Sequence, residues 1–389
     1  MRTIGVVTSS RADYGIYLPV LRAIESAPDL RLVLFVAGMH LSPEFGRTVQ
    51  TIEEDGFEII ERVEMLLSSD SPEGIAKSMG LCTIGFAQAL ARSRPDILLV
   101  LGDRFEMHAS AVAALPFKIP VAHIHGGAIT EGVIDDCLRH AITKMSHLHF
   151  TSTEEYARRV CQLGEEPWRV TVTGAPSLDN LREIPLLMRE KIRERFGVRV
   201  EEGLLLVTYH PVTLEYEHTQ EQVSHLLAAL EASGRPVLFT MANADTYGRL
   251  INQMIRQYVV AHPSAQMVDN LGPQGYYSVM ALAAAVVGNS SSGIIEAASL
   301  KKPAVNIGTR QKGRITPPNV LSVDCQEADI SRGIAMVTSE EFRARLDGLV
   351  NPYGDGHAAD RIVEKLRNVS LDDRLIKKRF YDLPIDGYI

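Results

Sequence analysis

Short runs of β-branched and other apolar residues alternate with longer amphipathic stretches, and this alternation limits the fold of the chain more than any other feature. Residues 97–101, all Ile, Leu or Val, are typical of a strand buried on both faces. Residues 75–93 place apolar side chains at helical spacing. This alternation predicts a parallel sheet with crossover helices. The first series of predicted strands is residues 3–8, 31–36, 58–62, 97–101, 121–124, 147–151 and 170–173.

The series then starts again, which predicts a second domain of the same architecture. A chain of 389 residues also has the length of about two domains. The second set of predicted strands is residues 204–209, 236–240, 284–287, 304–307 and 320–323. We therefore expect an α/β protein of two doubly wound, Rossmann-like domains facing a central cleft, with ligands beyond the carboxyl ends of the strands. The predicted divisions are domains at 1–175 and 186–365 and a helical tail at 366–389.

Composition and charge exclude several classes of protein. The formal net charge of −8 disfavours binding to a nucleic-acid backbone, although a local positive pocket can still hold one anion. The four cysteines are widely spaced without a C-x-x-C pair, which indicates reduced thiols rather than a zinc site. The amino terminus is too short and polar for a signal peptide, and the apolar run at 279–287 is too short to span a membrane. We expect a cytoplasmic protein.

The strongest motif is Gly-Asn-Ser-Ser-Ser-Gly at residues 288–293, after the predicted strand 284–287. We call residues 288–293 the serine turn. Small residues at the start of a predicted helix (294–300) let the backbone approach an anion, whose oxygens the free N–H groups can bind. Glu296 would lie one turn into that helix, within reach of ribose hydroxyls. The alternative is simple N-capping by Ser292 or Gly293, with Glu296 completing a capping box.

A second motif follows the next predicted strand and carries three cations, Arg310, Lys312 and Arg314. We call residues 308–314 the basic loop. Arginine suits bidentate contact with phosphate, so beside the serine turn this loop predicts a pyrophosphate clamp. The alternative is a solvated basic surface loop.

The first predicted strand is followed by Ser-Ser-Arg-Ala-Asp, in which Arg11 would point into the cleft. This segment has neither the glycine pattern of a dinucleotide site nor the lysine of a P-loop. Capping of the first helix by serine is the structural alternative. We therefore expect no nicotinamide cofactor.

Polar residues also follow three other strands. Asp103 and Glu106 come after residues 97–101, and they could serve catalysis or form a capping box. His123 and His125 alternate on one strand, but no third ligand has the expected spacing for a metal. We therefore expect no metal. His210, at the end of strand 204–209, is a polar side chain from the second domain.

Taken together, these motifs resemble the hydrolysing UDP-N-acetylglucosamine 2-epimerase family, in its bacterial sialic and legionaminic acid branch. The resemblance runs nearly end to end. The stretches that carry it are residues 9–15, 38–40, 102–106, 123–127, 139–146, 151–156, 288–293 and 308–314. It implies a GT-B-like fold, a UDP-sugar substrate and a homodimer or homotetramer.

The resemblance also implies roles for the residues in the motifs. UDP would bind mainly to the second domain, and the sugar would lie against the first. UDP would leave after removal of the C2 proton, and water would then add to C1. The implied catalytic residues are Asp103, Glu106, His125 and Asp135, and the implied UDP-binding residues are Arg11, His210, Ser290, Ser291, Ser292, Gly293, Glu296 and Arg314.

One position departs from the family pattern. The family commonly has Glu after His-x-Gly-Gly, where this chain has Ala128. Three interpretations are open: an engineered inactivating change, a carboxylate supplied by Glu131, or a protein that binds UDP-sugar with poor turnover. UDP-N-acetylglucosamine is the default substrate, and UDP-N,N'-diacetylbacillosamine is the close alternative. A GT-B glycosyltransferase and a non-catalytic UDP-sugar-binding protein are the alternatives from other classes.

Overall fold

The computed structural model of the protein describes residues 1–69, 71–242 and 247–383. The chain divides into two compact units. Among the described residues, unit 1 comprises those in 1–128, 135–179 and 353–383, and unit 2 comprises those in 129–134 and 180–352. The chain thus passes from unit 1 into unit 2 for the six residues 129–134 and is again part of unit 1 from residue 135.

Each unit contains one parallel sheet, so the prediction of two doubly wound α/β domains is confirmed. The sheet of unit 1 has the strand order β3-β2-β1-β4-β5-β6-β7, and that of unit 2 has the order β10-β9-β8-β11-β12-β13. The strands are β1 Arg2–Thr8, β2 Leu30–Ala37, β3 Ile59–Val63, β4 Ile97–Leu101, β5 Val121–Ile124, β6 Leu148–Thr151, β7 Val170–Val172, β8 Leu205–Thr208, β9 Val237–Thr240, β10 Ala265–Val268, β11 Ala285–Gly288, β12 Ala304–Ile307 and β13 Val320–Val323.

Helices connect the strands, as crossover connections between parallel strands require. They are α1 Arg11–Glu25, α2 Val49–Glu54, α3 Pro72–Arg92, α4 Phe105–Ala114, α5 Asp135–Met145, α6 Glu154–Gln162, α7 Ser177–Glu183, α8 Arg189–Phe196, α9 Thr219–Ser233, α10 Gly248–Ala261, α11 Gly272–Leu282, α12 Glu296–Ser299, α13 Glu327–Val337, α14 Glu340–Ala344, α15 Ala358–Asn368 and α16 Asp373–Ile376.

The continuous apolar strands are explained by helices on both faces of each sheet. In β4, Leu99 packs in one core with Leu21 of α1, whereas Leu98 packs in the other core with Phe86 of α3. Successive side chains of a strand point to opposite faces, so every position of β4 must be apolar.

Strand β10, which the sequence analysis missed, forms one edge of the second sheet beside β9. Its Ala-Gln-Met-Val sequence is half-buried and includes a polar residue at 266, so it lacks the continuous apolar run that marks the inner strands.

The carboxyl-terminal segment packs with unit 1. Ile362 and Leu366 of α15 lie in the same core as Leu21 of α1. The Lys378 ammonium lies 2.7 Å from the Glu165 carboxylate, and Arg169 donates to the Leu375 carbonyl at 2.9 Å. Residues 353–365, which the sequence analysis assigned to the second domain, therefore lie in unit 1.

In each sheet, the strand order reverses at one point, between β1 and β4 in unit 1 and between β8 and β11 in unit 2. The loops at the carboxyl ends of two such strands diverge to opposite faces and leave a crevice for ligands. The loops after β1, β4, β8 and β11 carry four of the predicted motifs, those of Arg11, of Asp103 and Glu106, of His210 and of the serine turn, whereas the basic loop follows β12 and His125 follows β5. Within the residues that the structure describes, no helix is both long and apolar enough to cross a bilayer.

Candidate functional site

In unit 1, the loop after β1 is held by a buried carboxylate. Ser10 is the N-cap of α1, and Asp13 completes the capping box, so the capping interpretation is confirmed. The Asp13 carboxylate also accepts from the backbone N–H of Ser9 at 3.2 Å and of Ser10 at 2.8 Å. Arg11 is the first residue of α1, which places it at the carboxyl end of β1.

The loop after β4 does not form the capping box that the sequence offered as an alternative. Arg104, not Asp103, is the N-cap of α4, and its side chain makes no capping bond. Glu106 is instead fully buried, and the Arg104 guanidinium donates to its two oxygens at 3.1 and 3.2 Å. The alternative prediction, that Asp103 and Glu106 form a capping box, is therefore wrong.

Glu106 lies against the loop after β2. A Cβ atom at Gly38 would be 2.9 Å from its Oε1, and Gly38 has a φ of +58°, so a larger residue would collide there. Burial raises the pKa of the Glu106 carboxyl above its ordinary value, while the Arg104 guanidinium acts in the opposite direction. This carboxyl is thus harder to ionise than that of an exposed glutamate.

Asp103 is bonded to an arginine that the sequence analysis did not select. The Arg139 guanidinium of α5 is 1% exposed and donates to the Asp103 carboxylate. It also donates to Asp136 and to the carbonyl of Ala128, both at 2.9 Å. Burial alone would lower the pKa of Arg139, but the carboxylates, Asp103 foremost, raise it. The group keeps its charge and fixes the position of Asp103.

The two histidines of β5 and its following loop differ in role. Both ring nitrogens of His123 bond within the protein, to the Gly102 carbonyl at 2.7 Å and to the Thr143 hydroxyl at 3.2 Å. Burial lowers its pKa to about 3, so the ring is neutral. His125 is half-buried with a φ of +69°, and its Nδ1 shares a hydrogen bond of 2.7 Å with Ser152. A non-glycine residue at positive φ is strained, and such strain is typical of functional positions.

The departure at Ala128 lies where the chain passes from unit 1 to unit 2. Ala128 is buried, and its carbonyl is occupied by Arg139. Three residues later, Glu131 belongs to unit 2, where its carboxylate lies 2.8 Å from the Lys312 ammonium. Its backbone N–H donates to the Lys312 carbonyl at 3.0 Å. Glu131 thus attaches this segment to the basic loop.

In unit 2, the serine turn follows β11 and requires glycine at its start. Gly288 has a φ of +133°, and a Cβ atom there would be 2.0 Å from the Thr208 carbonyl oxygen of β8. Ser290 caps a single 3₁₀ turn, Ser291–Gly293, and the Ser292 hydroxyl lies 2.6 Å from that of Tyr276. The serines are half-buried, so their hydroxyl groups can still reach a ligand, whereas the N–H groups of Ser292 and Gly293 bond to Ser290 within the turn.

The helix predicted at residues 294–300 is shorter than expected. After the 3₁₀ turn, α12 comprises only Glu296–Ser299. Ser292 and Gly293 therefore do not cap a long helix, and neither forms a capping box with Glu296. Anion binding at this turn would depend on its N–H and hydroxyl groups rather than on the dipole of a long helix. Glu296 is buried at the first position of α12.

The basic loop lies beside the serine turn. Arg310 and Gln311 both donate to the Asn289 carbonyl, at 3.1 and 2.8 Å. The Nε of Arg314 is buried and has no hydrogen-bond partner among the described residues. Lys312 and Arg314 border an open cavity of about 630 Å³ in unit 2, which is also lined by Arg332 and Asp329. A buried donor without a partner is uncommon in folded proteins, although no residue of the serine turn lines this cavity.

The structure groups the predicted residues by unit. Unit 1 contains Arg11, Asp103, Glu106 and His125, which follow strand ends, and Asp135, the first residue of α5. Unit 2 contains His210, Ser290, Ser291, Ser292, Gly293, Glu296, Arg314 and Glu131. Sequence reasoning missed the roles of Arg139 and Asn289. For Arg139, the available signal was its spacing from Asp136, three residues apart on one helix. No signal in the sequence indicated the role of Asn289.

These features define a class of protein: two doubly wound α/β units, one with carboxylates at its strand ends and one with a serine-rich turn after a strand of its sheet. The family model described as UDP-N-acetylglucosamine 2-epimerase matches residues 22–367, and the chain belongs to this family. It is 38% identical, over 98% of its length and 99% of the relative's, to the GDP/UDP-N,N'-diacetylbacillosamine 2-epimerase (hydrolyzing) of Campylobacter jejuni. It is 34% identical to the UDP-N,N'-diacetylbacillosamine 2-epimerase (hydrolyzing) of Legionella pneumophila, over 97% of the chain and 99% of the relative.

A further relative is the UDP-N-acetylglucosamine 2-epimerase of Neisseria meningitidis serogroup B, which is 32% identical over 98% of this chain and all of that protein. Among solved structures, a UDP-GlcNAc 2-epimerase from Neisseria meningitidis, bound to UDP-GlcNAc, has a TM-score of 0.79 at 19% identity. The match covers 95% of this chain and 100% of that one, and it shows a shared fold.

Proposed function

We propose that this chain is a hydrolysing 2-epimerase of a UDP-linked 2-acetamido sugar. The observation that carries the proposal is near full-length identity of 34–38% to relatives whose names specify this reaction. The polar groups at the strand ends of the two units supply both kinds of chemistry that the reaction needs. Unit 2 offers donors for a diphosphate, and unit 1 offers carboxylates and an imidazole for proton transfer.

The C2 hydrogen of such a sugar is not acidified by a carbonyl group. Its removal must therefore be coupled to loss of a good leaving group at C1. The C2–H electron pair forms a C1=C2 double bond as the C1–O bond breaks and UDP departs with its electrons. Water then adds to C1, and a proton returns to C2 on the opposite face. The products are UDP and the free 2-epimer.

Groups in unit 2 would stabilise the departing diphosphate. The N–H and hydroxyl groups of Ser290, Ser291, Ser292 and Gly293 are held in a capped turn, and Arg314 has a buried Nε without a partner. Preorganised donors stabilise developing negative charge without the cost of reorientation. We assign the ribose hydroxyls to Glu296 and a further phosphate contact to His210. Arg11, a residue of unit 1, is the other predicted UDP-binding residue.

The predicted catalytic residues of unit 1 differ in burial, and we assign them two different roles: contact with the sugar and support of the loop after β4. The side chain of Asp103 is 27% exposed, and His125 and Asp135 are half-buried, so these three can touch a sugar. A general acid or base must reach its proton within hydrogen-bond distance. Glu106 is fully buried, and we place it behind them, where it holds Arg104 and the loop after β4.

The more specific substrate proposal is UDP-N,N'-diacetylbacillosamine, since the relatives at 38% and 34% identity bear that name. UDP-N-acetylglucosamine is the second candidate because a relative at 32% identity is named for it. Incubation with each sugar, followed by product analysis, tests both. We expect UDP and a free 2-epimerised sugar, with the higher kcat/KM for the diacetylated substrate.

Other outcomes of that incubation would contradict the proposal. Binding without turnover would indicate a UDP-sugar-binding protein, the interpretation that Ala128 leaves open. Product formation only when an acceptor is added would indicate a glycosyltransferase. A higher kcat/KM with UDP-N-acetylglucosamine would overturn only the choice of sugar.

The proposal includes a cytoplasmic homodimer or homotetramer, as the sequence analysis expects. Light scattering coupled to gel filtration tests the assembly. A mass of about 43 kDa, that of a single chain, would contradict this part of the proposal.

A further inference from the structure

The geometry points to Asn289 as a positioning residue for UDP: it holds His210 and the basic loop in register with the serine turn. The inference rests on the proposed function, because it concerns the site where unit 2 would bind the diphosphate. Asn289 is fully buried, so it acts through its neighbours and does not itself touch a ligand.

The side chain of Asn289 makes a reciprocal pair of hydrogen bonds with one residue across the switch point of the sheet. The His210 backbone N–H donates to its Oδ1 at 2.7 Å, and its Nδ2 donates to the His210 carbonyl at 2.8 Å. Asn289 also donates its own N–H to the Thr208 carbonyl at 3.2 Å. The loop after β8 is thereby fixed to the loop after β11.

The backbone carbonyl of the same residue holds the third loop of the site. It accepts from Arg310 at 3.1 Å and from Gln311 at 2.8 Å. Three loops, after β8, β11 and β12, therefore meet at one buried residue, and Ser290 follows it directly. A displacement of Asn289 would move the serine turn, the backbone that carries His210 and the cations of the basic loop together.

Only a short amide side chain can satisfy this arrangement. Asparagine presents a donor and an acceptor side by side, which match the N–H and carbonyl of His210. Aspartate has the same shape but no donor, and it would place a negative oxygen against the His210 carbonyl. Alanine would remove both of these hydrogen bonds to the His210 backbone.

Unit 2 contains a matched control for a structural effect. Asn252 of α10 is also buried, and it makes the same reciprocal pair with the backbone of Ala242, at 2.9 and 3.4 Å. No hydrogen bond to the serine turn or the basic loop is described for it. Asn252→Asp therefore removes the equivalent amide donor, and places a negative oxygen against a backbone carbonyl, elsewhere in the same unit.

The experiment measures the Kd for UDP by calorimetry, together with the thermal midpoint, for wild type, Asn289→Asp and Asn252→Asp. We expect Asn289→Asp to weaken UDP binding by about tenfold or more, the order expected when charge-assisted contacts are misplaced. Asn252→Asp should lower the thermal midpoint comparably with an unchanged Kd. An unchanged Kd for Asn289→Asp, or equal weakening by both variants, would overturn the inference.

Gln311→Met tests the inference if Asn289→Asp does not fold. Methionine has nearly the shape of glutamine but cannot donate to the Asn289 carbonyl. We expect UDP binding about threefold weaker, in line with loss of one neutral hydrogen bond, and an unchanged Kd would overturn the inference. A wild-type protein that does not bind UDP would contradict both the proposed function and this inference. If the wild type binds UDP, the Kd values of the variants test this inference alone.

Discussion

Arg139 and Asp103 form an ion pair in which the guanidinium is almost completely buried, at the carboxyl end of β4. The same guanidinium bonds to Asp136 on its own helix, so one cation serves two carboxylates. A buried ion pair of this kind contributes little net stability, but removal of the guanidinium would take a charged hydrogen-bond donor from both carboxylates. We infer that this pair sets the position of Asp103 toward the sugar.

Removal of that cation should damage both stability and turnover. We expect Arg139→Met to lower the free energy of unfolding by roughly 3 kcal/mol, as Asp103 and Asp136 lose their partner. The kcat should fall by about 100-fold, because a displaced catalytic group loses its alignment. Urea denaturation and steady-state kinetics measure the two effects. Arg158→Met, at an exposed position of α6, is the control and should change neither. A fully active Arg139→Met variant would contradict the assignment.

Gly288 should tolerate no side chain. A Cβ atom at this position would lie 2.0 Å from a backbone oxygen, so Gly288→Ala must displace the serine turn. We expect UDP binding to weaken by more than about tenfold. Gly234→Ala is the matched control, since Gly234 also has a positive φ, of +61°, but no atom within 4 Å of the added Cβ. Calorimetry with UDP distinguishes them, and equal affinities would argue against the turn as the diphosphate site.

Arg314 should contribute to UDP binding directly. The Arg314→Gln variant loses a charge-assisted contact worth about 1.5–3 kcal/mol, which corresponds to roughly 10- to 100-fold in Kd. Arg332 borders the same cavity but is exposed and paired with Asp329. Arg332→Gln should therefore change the Kd less than about threefold. If the two variants weakened binding equally, the basic loop would act only through its net charge.

Glu131 should not be the carboxylate that transfers the proton. Its partner is Lys312, and its side chain is half exposed, so the ion pair contributes at most about 1 kcal/mol. We expect Glu131→Gln to change kcat and KM by less than about fivefold. Steady-state kinetics measures both constants. A 100-fold loss in kcat with an unchanged KM would instead support the interpretation that Glu131 replaces the glutamate missing at Ala128.

Stability should decrease in acid because of buried neutral histidines. In the folded protein, burial lowers the pKa of His123 to about 3 and that of His40 to about 4. The unfolded chain, with a histidine pKa of about 6.5, binds these protons first as the pH falls. The contribution of these two histidines to the free energy of unfolding should therefore be constant above about pH 6.5 and decrease below it, by about 1.4 kcal/mol per pH unit for each histidine.

The histidine contribution can be isolated by substitution. His123→Asn should reduce the slope between pH 4 and pH 6 by about 1.4 kcal/mol per pH unit, measured by urea denaturation across the range. His218→Asn, at an exposed position, should retain the full slope. An unchanged slope in His123→Asn would show that other groups cause the loss of stability.

Much of the fold could be predicted from local sequence, because buried parallel strands have a strong signal. Strands β4 and β5 were predicted with their observed bounds, whereas β10, which is polar and at a sheet edge, was missed. The attachment of the chain from residue 353 to unit 1 depends on contacts far apart in sequence, which periodicity does not report.

Prediction of the site was limited for a related reason. Polar loops can be recognised where predicted strands end, and Asp103, His125 and the serine turn were selected in this way. Strand ends do not identify partners such as Arg139 and Asn289, whose roles depend on burial and on hydrogen bonds across elements. Glu131 was predicted as a carboxylate near the chemistry, and only its tertiary contact with Lys312 shows which unit it joins.

Hydrolytic 2-epimerisation is tested most directly by the fate of the C2 hydrogen. The reaction should be run with a UDP-2-acetamido sugar in D₂O, and the free sugar should be analysed by proton NMR and mass spectrometry. Our account predicts release of UDP and a 2-epimerised sugar that carries one deuterium at C2. A product that retains its original hydrogen at C2, or release of UDP with an unchanged sugar configuration, would contradict it.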